Sequence, residues 1–184
     1  MANRLSALLL LSALFVGSAQ AAWNPEISIT RPELVLQMAS RSTEQMQAFY
    51  EARGFPSALL KEIGSVCYFT FGVDNKTNTT LWLDLSYWQV RDQHGNVVPH
   101  RSRAQWQQRW KQLGLPLANR NTFGWTVMPE ARDLYPNEHI GSNLTLLRTR
   151  KSMGPMTLVA RFPLGKDKKG GSVEIKLEKL QCRD

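Results

Sequence analysis

The chain has 184 residues, with 23 Lys and Arg against 15 Asp and Glu, three His and two Cys. A net charge of +8 favours anionic partners, while two cysteines alone are too few for a metal site. The sequence contains no phosphate-loop or dinucleotide glycine pattern and no G-x-S-x-G elbow, so nothing points to nucleotide chemistry or a serine nucleophile.

The N-terminus places Arg4 before an apolar run over residues 5–16, then Ala19-Gln20-Ala21. That is the pattern of a cleavable secretory leader, so residues 1–21 are predicted to be removed and residues 22–184 to form a single domain. No cysteine follows the apolar run, which speaks against a lipid-modified N-terminus. No later run reaches the roughly 18 apolar residues of a membrane span, so no transmembrane segment is expected in the mature chain. Loss of Arg4 with the leader brings the net charge to +7. The expected location is periplasmic. In that oxidising compartment Cys67 and Cys182 are expected to pair, tying the tail to the middle of the chain.

Trp23 to Ile29 reads as a short edge strand. Thr30-Arg-Pro-Glu33 reads as a capping box with Pro32 inside a helix start, and Leu34, Val35 and Met38 supply an apolar side. Ser42-Thr-Glu-Gln45 repeats that signature before Met46, Phe49 and Tyr50, with Gly54 as terminator. A third short helix is predicted from Ser57 to Ile63. The helical section therefore covers 31–63 and precedes a sandwich over 65–184.

From Cys67 to Trp88 the pattern changes to period two. Cys67, Phe69, Phe71 and Val73 share one side of a run, and Leu81, Leu83 and Leu85 share one side of the next, with a polar break between. This predicts a hairpin. The turn over 75–79 followed by the three leucines and an Asp-x-x-Gly turn resembles the second and third strands of immunoglobulin-like exported domains. The resemblance covers about 30 residues of packing pattern, so it implies a fold and no function.

Beyond Val90 a turn at 92–95 leads to a short return strand at Val97 and Val98. Ser102-Arg-Ala-Gln105 opens an amphipathic helical insertion over 102–113, which Gly114 and Pro116 stop. Phe123 to Met128 reads as a strand and 129–141 as a charged loop. Further strands are predicted at 144–148, 156–162 and 172–180, the last two joined by a Gly- and Lys-rich loop. The fold class is thus mainly β: an antiparallel immunoglobulin-like sandwich of about seven or eight strands, with an N-terminal helical section and one inserted helix.

Two surfaces are candidates for function. On the inserted helix, Trp106 and Trp110 form a stripe flanked by Arg103 and Arg109, with Arg101 and Lys111 at its ends. These six residues are the predicted partner-binding site, the tryptophans as anchors and the arginines meeting phosphate or carboxylate. The competing structural use of the stripe is packing on the sandwich. In the loop at 129–141, Glu130, Asp133, Glu138 and His139 offer oxygen and nitrogen ligands for a hard cation or for acid and base work, although Arg132 among them suits an ion pair better. Met153 and Met156, with His94, His100 and His139, lack the spacing of a copper motif. No metal, cofactor or nucleic-acid partner is expected. The sequence therefore predicts an exported, non-catalytic binding or accessory module for an anionic envelope component or a periplasmic protein. The alternative is a metal-binding protein or hydrolytic enzyme built on the 130–139 loop.

Overall fold

The structure is a computed structural model that describes residues 23–148 and 153–183; the predicted leader, Arg150 and Lys151 lie outside the described residues. Antiparallel sheets dominate, and helices are gathered on one side.

Strand β1 (Ile27–Thr30) pairs with β2 (Leu34–Arg41), which pairs with β3 (Val66–Asn75), which in turn pairs with β7 (His139–Leu147). A second layer contains β4 (Leu81–Asp84) against β6 (Ala131–Leu134), and β5 (Trp88–Arg91) against β8 (Met156–Pro163) and β9 (Ser172–Leu180). A bridge from Leu81 to Leu164 joins these two ribbons, and a single 3₁₀ turn at Leu85–Tyr87 separates β4 from β5. That makes nine strands among the described residues, against the seven or eight expected.

Residues 34–41 are strand, not the helix expected from Leu34, Val35 and Met38. The spacing that matters is two: Leu34, Leu36 and Met38 are buried in the core between the layers, and both edges of β2 are occupied by neighbours. Pairing along both edges outweighs the local capping signature at Thr30. The second capping box is real. Ser42 accepts from the Gln45 N–H while the Gln45 side chain accepts from the Ser42 N–H, starting helix α1 (Thr43–Glu51). Gly54 follows at φ 76°, where only glycine is unstrained. Helix α2 (Ser57–Leu60) runs on into a 3₁₀ turn at Lys61–Ser65, so the predicted helical section is helical only beyond Ser42.

The predicted hairpin is also corrected. β3 and β4 never pair; β4 belongs to the other layer. The two runs face each other through their side chains, with Cys67, Phe69, Phe71 and Val73 meeting Leu81, Leu83 and Leu85 in one core. Asn75 holds the crossing between them. Fully buried, it donates from Nδ2 to the carbonyls of Thr79, Leu134 and Tyr135 at 2.8, 3.0 and 3.1 Å, and its Oδ1 accepts from the Thr77 N–H and hydroxyl.

Helix α3 (Arg103–Gln112) begins at the predicted capping box of Ser102 and Gln105. The stretch expected to be a strand at 123–128 is instead the end of helix α4 (Leu117–Thr126), with Val127 making an isolated bridge to Asn143. The stretch expected to be a charged loop holds β6 and the start of β7. Alternation along β3 explains why there are two cores: its odd-numbered residues face the other layer, while Val66 and Tyr68 face the helices. Cys67 and Cys182 are bonded, with Cα atoms 5.3 Å apart, so β3 is tied to the segment following β9. No helix among the described residues is long and apolar enough to cross a membrane.

Candidate functional site

The stripe on α3 is not a surface. Trp106 and Trp110 are 0% exposed, stacked on one another at 5.4 Å and packed on Phe123 of α4. The Trp106 indole N–H donates to Thr145 Oγ1 of β7 at 2.9 Å. As partner anchors the two tryptophans are therefore overturned, because the sheet and α4 consume their faces.

The charged residues around them divide. Arg101 lies over the Trp106 ring at 4.5 Å and pairs with Glu62 at 3.0 Å, while Arg109 reaches the other Glu62 oxygen at 2.8 Å. The Arg109 hydrogen bond, opposed by burial and helped by Arg101, holds the Glu62 carboxyl below its ordinary range. These arginines clamp α3 to the 3₁₀ turn. Arg103 donates from Nε and Nη2 to the Val127 carbonyl at 3.1 and 2.6 Å, and Lys111 is exposed.

The carboxylates of the 130–139 segment do not converge either. Glu130 accepts from the Ala104 N–H at the start of α3; burial raises its carboxyl, yet that bond together with Ser102 and Arg103 leaves it lowered. Glu138 pairs with Arg132 and accepts from the Tyr135 N–H, and His139 meets Asp74 at 2.8 Å. Among the described residues no three His, Cys, Asp or Glu side chains are placed to hold a metal ion. Met153 and Met156 are buried in the core between the layers.

A well-formed concavity lies elsewhere. A cleft of about 510 Å³ opens where α1, the end of α4 and the outer face of β2, β3 and β7 meet. Its walls carry Arg41, Gln45, Phe49, Thr70, Asn143 and Trp125. The helices cover only one end of the sheet's outer face, so the cleft is the margin where that cover stops.

A chain of hydrogen bonds fixes it. Arg41 Nε donates to Thr70 Oγ1 at 3.1 Å, Thr70 donates to Asn143 Oδ1 at 2.8 Å, and Asn143 Nδ2 donates to the Thr126 carbonyl at 2.9 Å. The Thr126 hydroxyl donates to the Phe123 carbonyl, so at 2.7 Å it accepts from buried Tyr50. Burial pushes the Tyr50 phenol well above its usual range, so it stays a donor. These bonds hold the last turn of α4, and on that turn Trp125 stands 85% exposed. An indole so exposed on a tethered backbone is presented at no gain to folding. Arg41 forms no ion pair among the described residues, which leaves its guanidinium available to an anion.

Sequence reasoning missed this site because it read 123–128 as a strand. A strand places Phe123, Trp125 and Val127 on one face, all facing the core. In a helix, residues two apart lie about 200° from each other, so burying Phe123 turns Trp125 outward.

No protein-family model matches the chain, and no curated protein matches it. Two solved structures share a distant likeness. The yjhA protein of Bacillus subtilis superposes with a TM-score of 0.47 at 8% identity, covering 84% of this chain and 96% of that one. The ycdA protein of Bacillus subtilis, described as a candidate lipoprotein, gives 0.45 at 12% identity, covering 83% of this chain and 38% of that one. Likeness this distant carries nothing about ligand, location or partner.

Proposed function

We propose that the chain is an exported, non-catalytic binding module whose ligand is an anionic component of the cell envelope, taken up in the cleft between α1, α4 and the sheet. The observation that carries this reading is Trp125, an aromatic side chain 85% exposed in a cleft of about 510 Å³ beside Arg41, which forms no ion pair among the described residues. The bonded pair Cys67 and Cys182 suits a periplasmic location, where such a link persists. The basic balance of the chain suits an anionic ligand. An immunoglobulin-like sandwich remains our reading of the architecture, supported by two facing antiparallel layers with a shared core and a covalent tie.

Retention of the mature protein on anionic vesicles, on envelope polysaccharide and on envelope protein fractions tests the reading. Trp125→Ala, with the unfolding midpoint unmoved, and Arg41→Glu are each expected to lower retention on the component that binds. Retention on none of the three, or retention indifferent to both substitutions, overturns it.

A further inference from the structure

We infer that the ligand is an acidic polysaccharide, a run of sugar rings that straddles Trp125; this rests on the binding role proposed above for the cleft. Trp125 is shared by two concavities. On one side is the 510 Å³ cleft of Arg41; on the other a second groove of about 270 Å³ is lined by Arg103, Gln107, Asn121 and Gly124. The indole is therefore a ridge between two grooves, each with one arginine: Arg41 uses only Nε internally, on Thr70, while Arg103 gives Nε and Nη2 to the Val127 carbonyl and keeps Nη1 for a ligand. A ligand long enough to cross the ridge meets an arginine on each side of the shared indole, as suits a polymer with a repeated carboxylate.

The lining selects the chemistry of the repeat. Apart from Arg41, the polar groups of the larger cleft are amides and hydroxyls; Thr70 and Ser142 are bonded within the protein, while Gln45 Nε2 and the second Nδ2 hydrogen of Asn143 suit the hydroxyls of a sugar. The flat indole suits the apolar C–H face of a pyranose ring, and guanidinium suits a carboxylate, which it bonds with two parallel donors. A peptide adding as a strand would need a run of free backbone groups, but β3 is bonded on both edges beneath the cleft, and the outer edge of β7 is taken from Asn143 onward by Met128, Arg101 and Pro99. A lipid surface is flat and is recognised by clustered cations, whereas each groove is concave with a single arginine. Beyond the cleft the floor is capped. Gly72 and Gly141 are opposite one another on β3 and β7, and the Trp23 ring lies so close over Gly72 that a Cβ there would come within 3.0 Å of it. The Trp23 and His139 rings thus cover the sheet over Gly72 and close that end of the floor.

The test is calorimetric titration of the mature protein, alongside its tryptophan fluorescence, with galacturonate mono-, di-, tetra- and hexasaccharides. A neutral hexasaccharide, polyglutamate and anionic vesicles run in parallel. Affinity is expected to rise with length and the neutral sugar to bind at least about tenfold more weakly than the acidic one. Trp125→Ala is expected to lose roughly tenfold on every oligomer that crosses the ridge. Arg103→Gln should weaken the hexasaccharide and spare the disaccharide, whereas Arg41→Gln should weaken both. Because Arg103 also tethers Val127, exposed Asn121→Ala provides a second probe of the same groove, with the same expected dependence on length. Affinity that ignores length, or equal binding of the neutral sugar, overturns the inference. Binding of polyglutamate or vesicles in a Trp125-dependent way, with no galacturonate binding, overturns the polysaccharide and leaves the cleft as the binding site. Indifference of every anion to Trp125→Ala removes the site and the inference together.

Discussion

Three tryptophans within twenty residues of each other have opposite roles, and substitution separates them. Trp106 and Trp110 lie at the centre of the helical core, so Trp106→Ala removes a fully buried ring and its bond to Thr145, at a cost of about 3–5 kcal/mol in chemical denaturation. Trp125→Ala, by contrast, is expected to change stability by no more than about 0.5 kcal/mol, because the side chain packs on little. Glu62 makes a different kind of prediction. Its carboxyl is held below the ordinary range by Arg109 first and Arg101 after it, so the folded state binds a proton less readily than the unfolded chain. The stability this contributes is present above the unfolded carboxylate value of about 4.3 and is lost as pH falls through the lower folded value. The unfolding midpoint should therefore drop as pH falls from about 5 toward 3, and Glu62→Gln should drop less steeply over that window. An equally steep acid arm in the variant would mean that the clamp of two arginines adds nothing; Asp84 and Glu130, also lowered, would then account for the loss.

At the scale of the element, Asn75 decides the topology. A polar break between two alternating runs reads as a turn joining paired strands, yet here it joins strands of different layers, and the amide of one buried asparagine replaces the missing ladder. Asn75→Ala removes a donor from three carbonyls, of which Thr79 keeps the Thr77 hydroxyl and Tyr135 the Glu138 N–H, and takes the acceptor from Thr77; a loss of about 2–4 kcal/mol is expected from thermal or urea unfolding. Asn75→Asp, which keeps the acceptor for Thr77 but not the donor, should recover only part of it. The same residue shows where sequence reading stops. Local signals such as the capping boxes at Ser42 and Ser102 and the alternation of β3, β8 and β9 are encoded within a few residues of each other, and they are legible. Partner choice is not: nothing near Leu81 says that its ladder is Leu134, and nothing near Leu34 says that both its edges are filled. The cleft was illegible for the same reason, since it is assembled from five elements and one of them, α4, looks like a strand until Phe123 is known to pack on Trp106. The tryptophan stripe of α3 was visible at once, but visibility of an amphipathic face does not say whether water or protein covers it.

For the molecule as a whole, the question is whether two cores make two folding units. The core between the layers and the core under the helices share few side chains, but β3 contributes alternate residues to both, and Arg148 donates to the Val66 carbonyl on this strand and to the Arg183 carbonyl beyond β9. The disulfide adds a second tie at the same place, closing a loop 115 residues apart in sequence. On the loop-closure account such a link is worth about 4–5 kcal/mol, which is a large share of the roughly 5–15 kcal/mol that a domain of this kind has in total. Replacing Cys67 and Cys182 together with Ala should therefore lower the unfolding midpoint steeply, and a reductant should bring the native protein to the same midpoint without affecting the variant. If β3 makes the cores one unit, the weakened protein still melts in a single step. Backbone circular dichroism, which reports the sheets, and near-ultraviolet dichroism, which is dominated by Trp106 and Trp110 in the helical core and Trp88 between the layers, should then trace one coincident transition. Two separated transitions in the disulfide-free variant would show that the covalent tie, and not the shared strand, keeps the helices and the sheets together. The cleft at their junction would then open before the rest of the protein unfolds.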